Sequence, residues 1–473
     1  MIKDISHRVY SKGNTLIITD KISSDHMAAQ SVSSMVKTKL QKKRVWHNCR
    51  TVRCGHVSEI AKEYKRECFV MEKPSFFKNL KPSDRYMVGN LFFLYLIQGI
   101  NVIMIGSILP MMKEEYGLSY QVGGFLISAH SIGNMATGLI AGVLPLAFGL
   151  RRSLLVQNVL PFAGFAITLV TGNPWILIFA LLLTGLGRGA VSNYNNQIIS
   201  TLSGGSAAPL NMLHGFFAIG AVLAPFLVLI FTRENAGGWR WVVCVVIALG
   251  LISMVSSLFM NMDSVSYSKP ESGGSAFGFL RNRLFLRSMA IMFFYLCVEA
   301  SVMGWMVTYY TDSGAAGAES AQLLTSLLWI TILAGRFGCS AVSGRVAPPR
   351  MILALCTGIM VFLGILLMST SLPLMLVGTV GLGLSLSGMY GTTVANAGGI
   401  FGAYPLAMGI FVMVSTMGSV ITPSIIGGVA AYTGIRAGMA VLLVPAAIAL
   451  ALAGWNWVCA KSRGEQMEEN MVR

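Results

Sequence analysis

Three charged side chains stand inside long apolar runs of this chain: Glu299, Arg188 and Arg336. Glu299 lies within MFFYLCVEASVMGWMVTYY, residues 292–310, with no other charge for eleven residues on either side. A carboxylate at the middle of a bilayer costs at least a few kcal/mol unless it meets water, a partner or a proton. Burial favours the neutral acid and a nearby cation favours the carboxylate, so a group that meets both in turn exchanges a proton. At 1.5 Å per residue Glu299 is about 18 Å from Arg287 and Arg188 about 20 Å from Trp175, so both reach mid-depth; Arg336 is about 12 Å from Gly344. The pattern predicts a proton site at Glu299 with Arg188 or Arg336 as its switchable partner. A permanent ion pair that fixes helix packing would use the same residues, and the sequence leaves both open.

Around these charges sit residues that could bind a solute. Arg188, Ser192, Asn195 and Asn196 recur at steps of three and four, which stacks them on one helix face, with Tyr194 off it. A polar face on a membrane helix predicts a cavity lining or a polar helix contact. Gln98 and Asn101 add amides in the first run, and Tyr390 and Asn396 are weaker cavity candidates in the tenth. Trp305 and Tyr309 could cover the apolar face of a sugar while amides bind its hydroxyls. Six residues from Glu299 turn Trp305 about 240° away, so both reach a cavity only if Gly304 breaks the helix. Otherwise Trp305 is an interface residue. His130 and His214 are expected to make interhelical hydrogen bonds.

The elements that must hold these residues follow from composition. Of 473 residues, 54% are hydrophobic and 11% charged, against about 25% charged in a soluble protein. The apolar residues form runs of roughly twenty, the length a helix needs to cross a bilayer, at about 87–109, 120–146, 153–171, 175–200, 209–232, 241–262, 288–311, 320–343, 351–369, 372–398, 404–431 and 437–459. If residue 87 enters from the cytoplasm, fifteen Lys/Arg flank the spans inside, Arg151, Arg152, Arg345 and Arg350 among them, against four outside. That bias predicts cytoplasmic termini in a cell membrane. Residues 1–70 hold fourteen Lys/Arg against six Asp/Glu, half of the +16 formal charge, so the surplus reads as topology and tail rather than nucleic-acid binding. The tail, 1–86, has little apolar periodicity and is expected to be disordered. Its His47, Cys49, Cys54, His56 and Cys68 match no strong zinc spacing, and translation from Met71 would omit residues 1–70 altogether. The N-terminus lacks the apolar core of a secretory signal.

The spans repeat. GLGRGAVSNY at 185–194 answers GLGLSLSGMY at 381–390, and PLNM at 209–212 answers PLAM at 405–408, both 196 residues apart. GAVLAP at 220–225 answers GSVITP at 418–423, and the FF pairs at 92–93 and 293–294 precede Gln98 and Glu299. The expected fold is an all-α membrane protein of twelve transmembrane helices in two pseudo-symmetric six-helix bundles. These are 87–262 and 288–459, joined by a Pro/Gly/Ser-rich linker, 263–287, with a tail at 460–473. Such parallel halves with a site between them describe a secondary transporter.

On these stretches the chain resembles the major facilitator superfamily over residues 87–459. GVLPLAFGLRR at 142–152 is similar to its signature between spans 2 and 3, with Pro145 where an aspartate is usual. Within the superfamily, LNMLHGFFAIGAVLAP, VEASVMGWMVTYY and LLWITILAGRFGCSAVSGRVAP most resemble the fucose–proton symporter group. Carboxylates which that group often places in spans 1 and 4 are missing; Gln98, Asn101 and Ser192 stand there instead. The resemblance implies a cavity lined by spans 1, 4, 7 and 10, which makes Arg188 a cavity residue and Arg336, with Arg151 and Arg152, structural or gating.

No Walker-type loop, Gly-x-Ser-x-Gly or His-Glu-x-x-His occurs, so neither ATP-driven pumping nor hydrolysis is expected. GLGRG inside a span fits close helix packing better than nucleotide binding. The reading is a monomeric importer of a sugar or similar small polar solute by symport of a proton, sodium remaining possible, without cofactor or metal. An organic-anion carrier, a drug exporter and a non-transporting sensor are the alternatives. The anion carrier rests on the interior charge of two arginines against one glutamate.

Overall fold

The computed structural model describes residues 8–12, 15–19, 51–53, 76, 80–203, 207–262, 278–314, 316–343, 345–369, 371–398, 400 and 404–472. The chain divides into two units, Met1–Asn79 and Leu80–Arg473. In the first, β1 (Arg8–Lys12) pairs antiparallel with β2 (Thr15–Thr19), and β2 pairs parallel with β3 (Thr51–Arg53). The Val, Ile, Tyr and Thr of these strands suit a pleated backbone. His47, Cys49, Cys54, His56, Cys68 and Met71 lie outside the described residues.

In the second unit every predicted span falls on a helix. The first half contains α1 (Pro82–Tyr116), α2 (Tyr120–Phe148), α3 (Leu150–Val170), α4 (Pro174–Leu202), α5 (Ala207–Thr232) and α6 (Trp239–Leu258). The second contains α7 (Arg283–Asp312), α8 (Ala318–Val342), α9 (Pro348–Met368), the broken pair α10 (Leu372–Leu386) and α11 (Met389–Asn396), α12 (Pro405–Thr433), and the pair α13 (Ile435–Ala440) and α14 (Leu443–Val472). Eleven spans among the described residues are long and apolar enough to cross a membrane. The remaining predicted run is α2, 29 residues long. The ends are set locally: Asn173 and Asn282 cap α4 and α7 by accepting from backbone N–H groups, and Gly117 ends α1 at φ 62°.

The repeat is visible in the packing. In the first half α1 packs on α5, α4 on α2 and α3, and α3 on α6; in the second α7 packs on α12, α10 on α8 and α9, and α9 on α14. Gly185 and Gly187 of GLGRG explain the motif. A side chain at Gly185 would strike the His130 carbonyl of α2, and one at Gly187 would strike Pro161 of α3. The matching Gly381 and Gly383 meet Phe362 of α9 and Thr331 of α8. Small residues let membrane helices pack by close approach where lipid supplies no hydrophobic drive. The motif is helix packing, as its position inside a span predicted.

Candidate functional site

Glu299 lies about 24 Å along α7 from its first residue. Tyr295, one turn earlier on the same face, brings its hydroxyl to 2.6 Å from Glu299 Oε1 and 3.0 Å from the carbonyl oxygen of Leu386. A phenol has one proton and donates it to one acceptor at a time. With Glu299 ionised, Tyr295 donates to the carboxylate. With Glu299 protonated, the acid donates to Tyr295 and the phenol donates to Leu386. Leu386 is the last residue of α10, where the tenth span breaks before Met389.

Arg188 is held by neutral partners. Its Nη1 lies 3.4 Å from His130 Nε2, and His130 Nδ1 lies 2.9 Å from Thr184 Oγ1, whose own proton goes to Leu181 O at 2.7 Å. Because Thr184 spends its proton on Leu181, His130 donates from Nδ1 and accepts from Arg188 at Nε2. Gln98 donates to the Arg188 carbonyl at 2.8 Å. Arg188 and Arg336 both act on Glu299 through space, yet neither forms an ion pair with it. All three side chains are half-buried.

Residues from six elements converge here. Tyr95 of α1, which sequence reasoning missed, accepts from Asn196 Nδ2 at 2.8 Å and lies 3.1 Å from Ser192 Oγ. Tyr390 of α11 is 48% exposed and acts electrostatically on both Glu299 and Tyr95. His214 of α5 packs edge-on to Tyr95 at 5.6 Å and acts on Arg336 of α8. Tyr95 sits one turn before Gln98 and Tyr295 one turn before Glu299, and that spacing was the available signal.

Other expected residues go elsewhere. Asn195 is fully buried and donates to Leu91 O at 3.1 Å, joining α4 to α1. Asn101 lines a crevice inside the first half, with Gln98, His130, Asn158 and Arg188, whose volume of about 20 Å³ admits about one water. Asn396 donates to Ser288 Oγ at 2.9 Å and ties α11 to α7. Arg151 donates to Leu258 O at the end of α6, and Arg152 is exposed. Of the two arrangements left open at Gly304 the structure has the unbroken one, since α7 runs from Arg283 to Asp312. Trp305 and Tyr309 are fully buried: the Trp305 indole donates to Pro423 O at 3.2 Å, and Tyr309 donates to Leu366 O at 2.9 Å.

Trp305 belongs to a second region, where the halves meet. Lys113 of α1 pairs with Asp312 of α7 at 3.0 Å, and Tyr120 of α2 donates to the same carboxylate at 2.8 Å. Ser128 and Ser424 lie 2.7 Å apart, and Gln322 donates to Ser107 O at 2.8 Å. Gly124 and Gly427 bring α2 and α12 into backbone contact; a Cβ at Gly124 would sit 2.6 Å from Pro423 O. Among the described residues, every hydrogen bond between the halves lies toward this end. His214 and Tyr390, away from this end, are exposed. The halves are therefore latched together at this end, away from the arginine-rich one.

The family model of the Major Facilitator Superfamily matches residues 91–397. Among relatives, the glucose/mannose transporter GlcP of Bacillus subtilis is 22% identical over 76% of this chain and 92% of its own length. The probable sulfoacetate transporter SauU of Cupriavidus necator is 22% identical over 59% and 70% respectively. Vacuolar basic amino acid transporter 5 of Saccharomyces cerevisiae is 24% identical over 36% of this chain, which spans only 29% of that protein. A bacterial homologue of the human lysosomal transporter Spinster, solved inward-facing and unoccupied, superposes with TM-score 0.65 at 15% identity, over 80% of this chain and 98% of that one. At that identity the likeness concerns the fold alone.

Proposed function

The chain belongs to the major facilitator superfamily and is a transporter, not an enzyme; from that premise we propose that it moves a small polar solute by alternating access, driven by proton symport at Glu299. The observation that carries the reading is the partner of Glu299, which is a tyrosine hydroxyl and not an arginine. An acid locked in an ion pair would hold its charge and act as a structural clamp. An acid bonded to a phenol is satisfied in both protonation states, because the phenol can donate to it or accept from it.

The step follows from this geometry. A proton entering the cavity joins Glu299, Tyr295 turns its hydrogen bond to Leu386, and the break in the tenth span gains a partner. Arg188 and Arg336 then face a neutral acid. Tyr95, Ser192, Asn196 and Gln98 offer the hydroxyls and amides that orient a polar solute. With the arginine-rich end in the cytoplasm, the arrangement is the inward-open state and both termini are cytoplasmic. The likeness to the fucose–proton symporter group and to a glucose/mannose transporter supports a sugar or sugar-like solute taken up across the cell membrane.

Proteoliposomes test the coupling, using a solute selected by thermal shift from sugars, sugar acids and amino sugars. Glu299→Gln is expected to abolish accumulation driven by a pH gradient while leaving solute exchange intact. Accumulation that persists in this variant removes Glu299 from the proton path.

A further inference from the structure

Neither Arg188 nor Arg336 forms an ion pair among the described residues. Glu299 is the sole acidic residue in the interior of any span; the remaining acids fall in the tails, the loops or the helix ends. Its carboxylate oxygen is taken by Tyr295. Arg188 donates one hydrogen bond, to a neutral imidazole, and Arg336 makes no hydrogen bond among the described residues. The polar side chains nearest these charges, Tyr95, Tyr295, Tyr390 and His214, supply no negative charge. A guanidinium carries five N–H donors in a planar fork that suits a carboxylate, sulfonate or phosphate. Two such forks, each half-buried, within electrostatic reach of Glu299 and ion-paired with no acid among the described residues, are suited to receive one.

We infer that the transported solute is an organic anion whose charged group is bound by Arg188 of α4 and Arg336 of α8. The inference rests on the transporter reading above and, among its small polar solutes, sets an anionic one such as a sugar acid in place of a neutral sugar. The interior charge is +1 while Glu299 is ionised and +2 once it is protonated, so the proton enters first and the anion restores the balance. Arg188 belongs to the first half and Arg336 to the second. An anion gripped by both draws the halves together at the end that is now open, which is the movement alternating access requires.

Matched pairs that differ only in charge test this on the purified full chain: glucose with glucuronate, glycerol with glycerate, acetamide with acetate, and dimethyl sulfone with methanesulfonate. Thermal transitions are read at constant ionic strength. The anionic member of at least one pair is expected to raise the transition where its neutral twin does not. Arg188→Gln and Arg336→Gln should each weaken that binding about 30-fold or more, the lower range for losing one side of a buried hydrogen-bonded charge pair. Glu299→Gln, which leaves the interior at +2, should tighten it. Arg188→Lys keeps the charge and covers the case in which Arg188→Gln does not yield monodisperse protein. The inference falls if no anion outperforms its twin, or if anion binding survives loss of both arginines. Anion binding that responds to the arginines while Glu299→Gln still accumulates solute would leave this inference standing and remove the proton site.

Discussion

The closed end and the central cavity use polar residues in opposite ways. At the closed end each group meets its complement across the halves: Lys113 meets Asp312, Tyr120 joins the same carboxylate, and Ser128 meets Ser424. In the cavity the charges lie within electrostatic reach of one another but stay unpaired, with Glu299 on Tyr295 and Arg188 on His130. A gate is a contact that must form and break, so its partners belong to the protein. The proposed site leaves its strongest groups for a ligand and a proton, so their partners come from outside. The depth of the pairs differs as well. The side chains of Lys113 and Asp312 retain 11% and 27% exposure at a helix end, where a pair contributes about 1 kcal/mol or less.

This contrast can be broken at three points. Tyr295→Phe keeps the ring and removes the phenol, leaving Glu299 without its hydrogen-bond partner. A bond to a charged group contributes about 1.5–3 kcal/mol, so the pH at which accumulation is half-maximal should shift by about one to two units while exchange continues. An unchanged pH profile would confine Tyr295 to packing. Gly124→Val places a branched side chain against the Pro423 carbonyl, and an overpacked contact costs about 1–3 kcal/mol. The closed end should then open, which spin-label distances between α2 and α12 would report as a longer population, with solute exchange reduced. Asp312→Asn should act in the same direction but by about 1 kcal/mol or less, and its effect should shrink in high salt. A loss of pH-driven accumulation as severe as that of Glu299→Gln, with exchange intact, would mean that Asp312 is part of the proton path and not a latch.

Much of the architecture was legible before any coordinates. Twelve apolar runs map onto twelve helical spans because a bilayer forces each segment to satisfy its own backbone. The 196-residue repeat marked two halves whose helices pack alike. Helical spacing put Arg188, Ser192 and Asn196 together, and Ser192 and Asn196 both meet Tyr95 of α1. The same spacing misplaced Asn195, since a helix face is wider than a cavity and its edge turns toward the neighbouring α1. Trp305 was placed by the angle between residues: 240° from Glu299 on an unbroken helix is the face that meets α2 and α12, and there it seals.

By itself the sequence determined that this chain crosses a membrane repeatedly, that its halves repeat, and that one acid and two bases lie within the bilayer. Those properties are local, fixed by hydropathy along each run and by a rise of 1.5 Å per residue. Which groups pair, where the halves are latched, and that Glu299 rests on a phenol and Arg188 on an imidazole rather than on each other were decided only by tertiary structure. Hydrogen bonds form between atoms about 3 Å apart, and helices far separated in sequence supply those atoms only after they pack.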